Sequence, residues 1–124
     1  MLTIDMIPHF KDDRGSFTVL HNSNINEHTY VQDNFSVSNK NVIRGLHIQT
    51  ENPQGKLVSC VSGRILDIAL DLRKDSDEYG RVYAIELYGN RQLYIPEGFA
   101  HGFLSKEDNT CVFYKCTTEY DPKS

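Results

Sequence analysis

The sequence predicts an all-β fold, a sandwich or barrel of about seven or eight short strands. Seven tyrosines and six phenylalanines are interspersed with Val, Ile and Thr, whose broad or branched side chains pack well on a pleated surface. Gly and Asn-Asp clusters interrupt these runs at short intervals, where a chain can reverse. No segment repeats its apolar residues with the 3.6-residue period of an amphipathic helix.

In chain order, the polar stretch 21–28 reads as a surface loop, and strands are expected over 34–38, 42–49, 56–61, 64–73, 81–87, 92–95 and 110–117. Asn39-Lys40, Asn52-Pro53, Ser62-Gly63, 76–80 and Gly89-Asn90 supply the turns between them. Segment 64–73, RILDIALDLR, alternates throughout. Leu66, Ile68, Leu70 and Leu72 share one face, and Ile65, Asp67, Ala69, Asp71 and Arg73 the other, as in a strand with one apolar face. Strands carrying polar residues on one face fit a barrel whose interior is wet enough to hold a ligand.

At 124 residues the chain is long enough for one domain with a modest core and too short for two, so 1–124 is read as a single domain. Thirteen Lys and Arg against seventeen Asp and Glu leave a net charge of −4, which gives no basic field to hold a nucleic acid. No run approaches the roughly 18 to 20 apolar residues of a membrane span. The start, Met1-Leu2-Thr3-Ile4-Asp5, lacks the basic and apolar regions of a signal peptide, so a soluble cytoplasmic protein is expected. Cys60, Cys111 and Cys116 are odd in number and form no C-x-x-C pair, and they read as small core residues.

The densest polar cluster within strand-like sequence is Arg44-Gly45-Leu46-His47-Ile48-Gln49, followed by Gln54-Gly55-Lys56. Strand parity puts Gly45, His47 and Gln49 on one face, so a base and an amide point together into the barrel beside a glycine that leaves room for a ligand. Arg44 is out of phase and joins them only if Gly45 sits in a bulge or the strand end twists. A second cluster, Pro96-Glu97-Gly98-Phe99-Ala100-His101-Gly102-Phe103, is a turn that delivers a histidine at a strand start, with the P-x-G-x-x-H spacing found in cupins. Metal-binding cupins carry H-x-H on the earlier strand. Here the tripeptide is His47-Ile48-Gln49, and glutamine is a poor ligand for a divalent metal, so the expected chemistry is metal-free and cofactor-free acid–base work. On the last strand Tyr114 shares a face with Val112 and Cys116; it is either a packed core tyrosine or, opposite a histidine, a general acid.

Together these motifs resemble the dTDP-4-dehydrorhamnose 3,5-epimerase family, metal-free cupins acting on nucleotide-linked 4-keto sugars. The resemblance runs through Asp13-Arg14-Gly15-Ser16-Phe17, Gln32-Asp33-Asn34-Phe35-Ser36-Val37-Ser38, 44–49, Gln54-Gly55-Lys56-Leu57-Val58, 95–103 and Tyr114-Lys115-Cys116-Thr117. It implies a cupin-type jelly roll and a homodimer that pairs strands across subunits and shares the N-terminal arginine between sites. The implied activity is epimerisation at C3, C5 or both of a nucleoside-diphosphate 4-keto-6-deoxy sugar.

Residue by residue, the resemblance makes His47 the general base that removes the proton alpha to the C4 ketone. A histidine is neutral and basic near cellular pH, and the carbonyl acidifies the neighbouring C–H. Lys56 resembles the stabiliser of the enolate oxygen, and Tyr114 the acid that returns a proton from the opposite face. Arg14, Gln32, Asn34, Arg44 and His101 match positions that hold the diphosphate and sugar, and guanidinium forks suit diphosphate oxygens. Tyr120 matches a tyrosine stacked on the nucleotide base, and Gln49 joins the binding set on strand parity.

The chain departs from the family pattern at three places. Val19 stands where a Glu commonly follows the D-x-R-G arginine by five residues, and Ile48 replaces an aromatic. Family chains also continue several tens of residues past the tyrosine matching Tyr120 and carry there an aspartate that orients the base. Within these 124 residues, either the chain is trimmed, or another acid such as Asp67 takes that place, or His47 works unassisted. A second enzymatic reading is a sugar-nucleotide 3,4-ketoisomerase, which resembles R-G-x-H-A-H at the key strand; Gln49 in place of the second histidine counts against it. From another class, a non-catalytic sugar-binding cupin would scatter His47, Lys56 and Tyr114 rather than bring them to one cavity.

Overall fold

The computed structural model of the protein describes residues 1–25 and 28–124 and is all-β among them. Asn26 and Glu27, part of the expected surface loop, lie outside the described residues. The strands are β1 (Thr3–Met6), β2 (His9–Asp12), β3 (Gly15–Thr18), β4 (Gln32–Ser38), β5 (Ile43–His47), β6 (Lys56–Ser62), β7 (Ile65–Asp71), β8 (Val82–Leu87), β9 (Arg91–Ile95), β10 (Phe99–Ser105) and β11 (Thr110–Cys116). They form a five-stranded sheet in the order β1-β9-β6-β11-β4, a four-stranded sheet β5-β10-β7-β8, and the separate hairpin β2-β3.

The two large sheets share one core. Val58, Cys60, Leu93, Ile95 and Val112 come from the first, and Ile65, Ala69, Leu87, Phe99 and Phe103 from the second. Each fully buried Leu, Ile, Val or Phe in that layer contributes about 1.5–3 kcal/mol, which is what holds two sheets together as a jelly roll of the cupin type.

Four elements go beyond the expected strands. β1, β2 and β3 are short, mixed in polarity and mostly solvent-exposed, so they lack the alternation that marks a half-buried strand. β10 is buried on both faces, so its residues do not alternate in polarity and the segment reads as a turn. Of the three cysteines expected in the core, Cys60 and Cys116 are buried, but Cys111 is only partly so, since β11 turns it to the outer face opposite Val112.

The alternation over 64–73 does become β7, yet its most buried face is the one with the aspartates. Ile65, Asp67, Ala69 and Asp71 are at most 1% exposed, whereas Leu66, Ile68 and Leu70 are half-buried. A buried carboxylate survives only with partners. Asp67 receives a hydrogen bond from His101 Nε2 at 2.7 Å, and Asp71 receives them from Arg73 and Ser76.

Between β5 and β10, His47 lies opposite His101 and Arg44 opposite Phe103, so β5 carries one extra residue over that step. Gly45 makes this bulge possible. Its φ of +95° suits glycine, and a Cβ there would sit 2.6 Å from the His101 carbonyl oxygen and 2.8 Å from Gly102 Cα. The extra residue brings Arg44 back to the side occupied by His47.

Candidate active site

Two adjoining concave lobes open at one end of the jelly roll, and both are lined by His47, Lys56 and Tyr114. The inner lobe, about 410 Å³, adds Ser36, Arg44, Gly45 and His101. The outer lobe, about 520 Å³, adds Gln32, Asn34, Gln49, Gln54, Phe99 and Tyr120. Both volumes suit a small-molecule ligand.

Each of these side chains is placed by strand pairing. Lys56 opens β6 and lies in register with Ile95 on one side and Cys116 on the other. Tyr114 sits two residues earlier on β11, between Asn34 of β4 and Val58 of β6, with the Lys56 ammonium 5.8 Å from its ring centre. On β4, Gln32, Asn34 and Ser36 turn inward while Asp33, Phe35 and Val37 turn out. Arg44 donates from Nε to Ser38 Oγ at 2.8 Å and from Nη2 to the Val37 carbonyl at 3.2 Å, tying β5 to β4 across the mouth. His101 is held in the floor by its bond to Asp67, a diagonal neighbour across the β7–β10 ladder. Asp67 thus serves His101, not His47 as the sequence allowed.

Burial sets the electrostatics of the pair at the junction. It pulls the Lys56 ammonium below the usual lysine value, although the Cys116 thiol and Asp67 carboxylate oppose that shift. Burial likewise raises the Tyr114 phenol, reinforced by Cys116 and opposed by Arg44. The phenol is therefore kept protonated and the amine made easier to neutralise.

Of the residues expected from sequence, Gln32, Asn34, Arg44, His47, Gln49, Lys56, His101, Tyr114 and Tyr120 line one lobe or both. Arg14 does not. It lies at the turn of the β2–β3 hairpin, 90% exposed and paired with Asp12 at 2.6 Å. Gln49 reaches the outer lobe from just past β5, but its amide is engaged by backbone groups of Asn52, Glu119 and Asp121. Sequence reasoning missed Ser36, Phe99 and Asp121 as lining residues. Ser36 was within reach, since it is in phase with Gln32 and Asn34. Among the described residues, no three His, Cys, Asp or Glu side chains gather as a metal ion would require.

The family model described as dTDP-4-dehydrorhamnose 3,5-epimerase matches residues 2–124. The dTDP-4-dehydrorhamnose 3,5-epimerase of Methanothermobacter thermautotrophicus is 47% identical over 121 residues, covering 92% of this chain and 65% of its own. That of Salmonella typhimurium is 46% identical over 124 residues, covering 93% and 68%. The chain thus spans about two thirds of the length of these relatives. The crystal structure of dTDP-6-deoxy-D-glucose-3,5-epimerase from Legionella pneumophila, in complex with dTDP-4-keto-L-rhamnose, superposes with a TM-score of 0.94 at 40% identity, covering 99% of this chain and 70% of that one.

Proposed function

The chain belongs to the dTDP-4-dehydrorhamnose 3,5-epimerase family, and from that premise we propose that residues 1–124 form an isomerase domain that epimerises a nucleoside-diphosphate 4-keto-6-deoxy sugar at C3, C5 or both. The observation that carries the reading is the convergence of His47, Lys56 and Tyr114 on one cavity. A binding module with no catalytic role has no need of a base, a cation and a phenol at the same junction.

In the proposed reaction, the His47 imidazole takes the proton alpha to the C4 ketone. The C–H electron pair moves into the enolate, whose negative oxygen lies by the Lys56 ammonium. Tyr114 then donates its phenolic proton to the opposite face of the same carbon, which inverts the centre. Exchange with water returns the proton from imidazolium to the tyrosinate. The raised Tyr114 pKa supports this role by keeping the phenol protonated until its proton is needed. Arg44, His101, Gln32 and Asn34 hold the diphosphate and sugar, and Tyr120 stacks on the base.

The proposal extends to a homodimer in the cytoplasm. Edge strands β4 and β5 present Phe35 and Ile43 to solvent, the hairpin presents Phe10 and Phe17, and an almost wholly apolar groove runs between Leu20, Phe35, Val61 and Phe113. On the family resemblance, the exposed Arg14 is the residue proposed to be shared with the partner's site. No helix among the described residues is long and apolar enough to cross a membrane, and three free thiols fit a reducing compartment.

The test is proton NMR of dTDP-4-keto-6-deoxyglucose with the protein in heavy water. Loss of the C3 or C5 proton signal with new L-configured couplings supports the epimerase. Loss of the C3 proton with the carbonyl moved to C3 and a proton or deuteron gained at C4, the C5 proton being retained, would support the ketoisomerase.

A further inference from the structure

Tyr120 combines two properties that rarely coincide. It is 68% exposed where it lines the outer lobe, yet its own N–H and the backbone groups on either side of it, the Glu119 carbonyl and the Asp121 N–H, are bonded to side-chain amides. Gln32 Oε1 accepts the Tyr120 N–H at 2.7 Å. Gln49 Oε1 accepts the Asp121 N–H at 2.9 Å, and Gln49 Nε2 donates to the Glu119 carbonyl at 3.3 Å and the Asn52 carbonyl at 2.7 Å. The Gln49 amide therefore pairs with the residues on both sides of Tyr120 as a strand neighbour would, and it is 9% exposed.

The two glutamines come from opposite sheets, Gln32 from β4 and Gln49 from the chain just past β5. Gln32 is itself oriented, because its Nε2 donates to Asn34 Oδ1 at 3.0 Å. Further along, Asn52 Nδ2 donates to Asp121 Oδ2 at 2.6 Å and Gln54 Nε2 to the Thr118 carbonyl at 2.7 Å. With no strand partner of its own, segment 118–121 is fixed largely by side-chain amides, joined by the Thr118 hydroxyl, which donates to the Pro53 carbonyl at 2.8 Å, and by the Ser124 N–H on the Asp121 carbonyl.

From this geometry we propose that Gln49 is a positioning residue for nucleotide recognition: it touches no ligand itself and acts by holding the Tyr120 ring ready to stack. The inference rests on the reading of this site as one for a dTDP-linked sugar. A platform fixed beforehand spares the ligand the ordering cost of that segment, whereas an amide whose donors and acceptor are already engaged has little left for a phosphate or sugar.

The experiment is a double-mutant cycle on dTDP affinity, measured by calorimetry, with Gln49→Met and the near-isosteric Gln49→Glu, each alone and combined with Tyr120→Ala. Gln49→Met is expected to weaken dTDP by about tenfold, with KM for the sugar nucleotide rising by more than kcat falls. In the Tyr120→Ala background the same change is expected to alter affinity by less than about twofold, because its effect runs through the ring. A tenfold loss in both backgrounds would make Gln49 a direct ligand contact and overturn the proposal. Unchanged affinity in the single variants would overturn it too, as would failure of both to fold, which would assign Gln49 to structure alone. If the unsubstituted protein does not bind dTDP, it is the reading of the site that fails.

Discussion

Burial shifts the two titrating groups beside the cavity in opposite directions, and the sense of both shifts favours Lys56 as the group whose titration ends activity at high pH. Lys56 is pulled down from 10.5, mainly by desolvation, and Tyr114 is pushed up from 10.0. Both shifts favour loss of the ammonium ahead of the phenol as pH rises, so the alkaline arm of kcat/KM is expected to report Lys56. Losing a cation placed at a developing oxyanion costs about 10²–10³ in rate, roughly 2.7–4 kcal/mol, so the arm should fall steeply. Lys56→Arg keeps a charge that does not titrate in this range, and its residual activity should lose the arm or carry it upward. Asp67→Asn removes an anion that helps keep Lys56 protonated and should move the arm down. The stability effect has the opposite sense. Because the folded-state pKa of Lys56 lies below its unfolded value, the unfolded chain binds more protons between the two, and stability rises with pH through that window. Lys56→Met should thus be inactive yet at least as stable as the parent. The assay is a pH series of kcat/KM on the parent, Lys56→Arg, Tyr114→Phe and Asp67→Asn. An arm that stays in place in Lys56→Arg and vanishes in Tyr114→Phe would refute the assignment.

Tyr114→Phe should still exchange the alpha proton into solvent while epimer formation falls by about a hundredfold or more, because the base survives and the opposing acid is lost; product formed at the parental rate would remove Tyr114 from the mechanism. Gly45→Ala should cost about 2–4 kcal/mol in urea unfolding, since the new Cβ meets the β10 backbone at a positive φ; an unmoved midpoint would show that the bulge is not needed. Gln49→His should bind no stoichiometric zinc by elemental analysis, because position 49 faces the backbone of 119–121 rather than His47; one metal per chain would contradict that orientation.

Much of the fold was legible where local pattern and burial agree. The period-two alternation of 64–73 marked β7, and the inward phase of Gln32 and Asn34 is that of β4. Where β7 carries aspartates inward, alternation alone could not choose the face, because the choice is made by His101, Arg73 and Ser76 from elsewhere in the chain. Arg44 shows a sequence signal that needed one structural fact: its parity was wrong until the Gly45 bulge restored it. Gln49 shows the reverse. Its placement near His47 was readable, but two of the three partners that occupy its amide lie some seventy positions away. Arg14 was visible only through the D-x-R-G resemblance, since an exposed hairpin leaves no trace of what it reaches toward.

The central claim is that His47 removes the proton alpha to the ketone in a pocket that binds the nucleotide by other groups. Its most direct test is solvent deuterium exchange into dTDP-4-keto-6-deoxyglucose by His47→Ala beside the parent, with dTDP affinity measured on both. Exchange by the parent, loss of exchange in the variant and dTDP affinity retained in both are expected; parental exchange by His47→Ala, or lost dTDP binding with exchange intact, would contradict the role of His47 as the base.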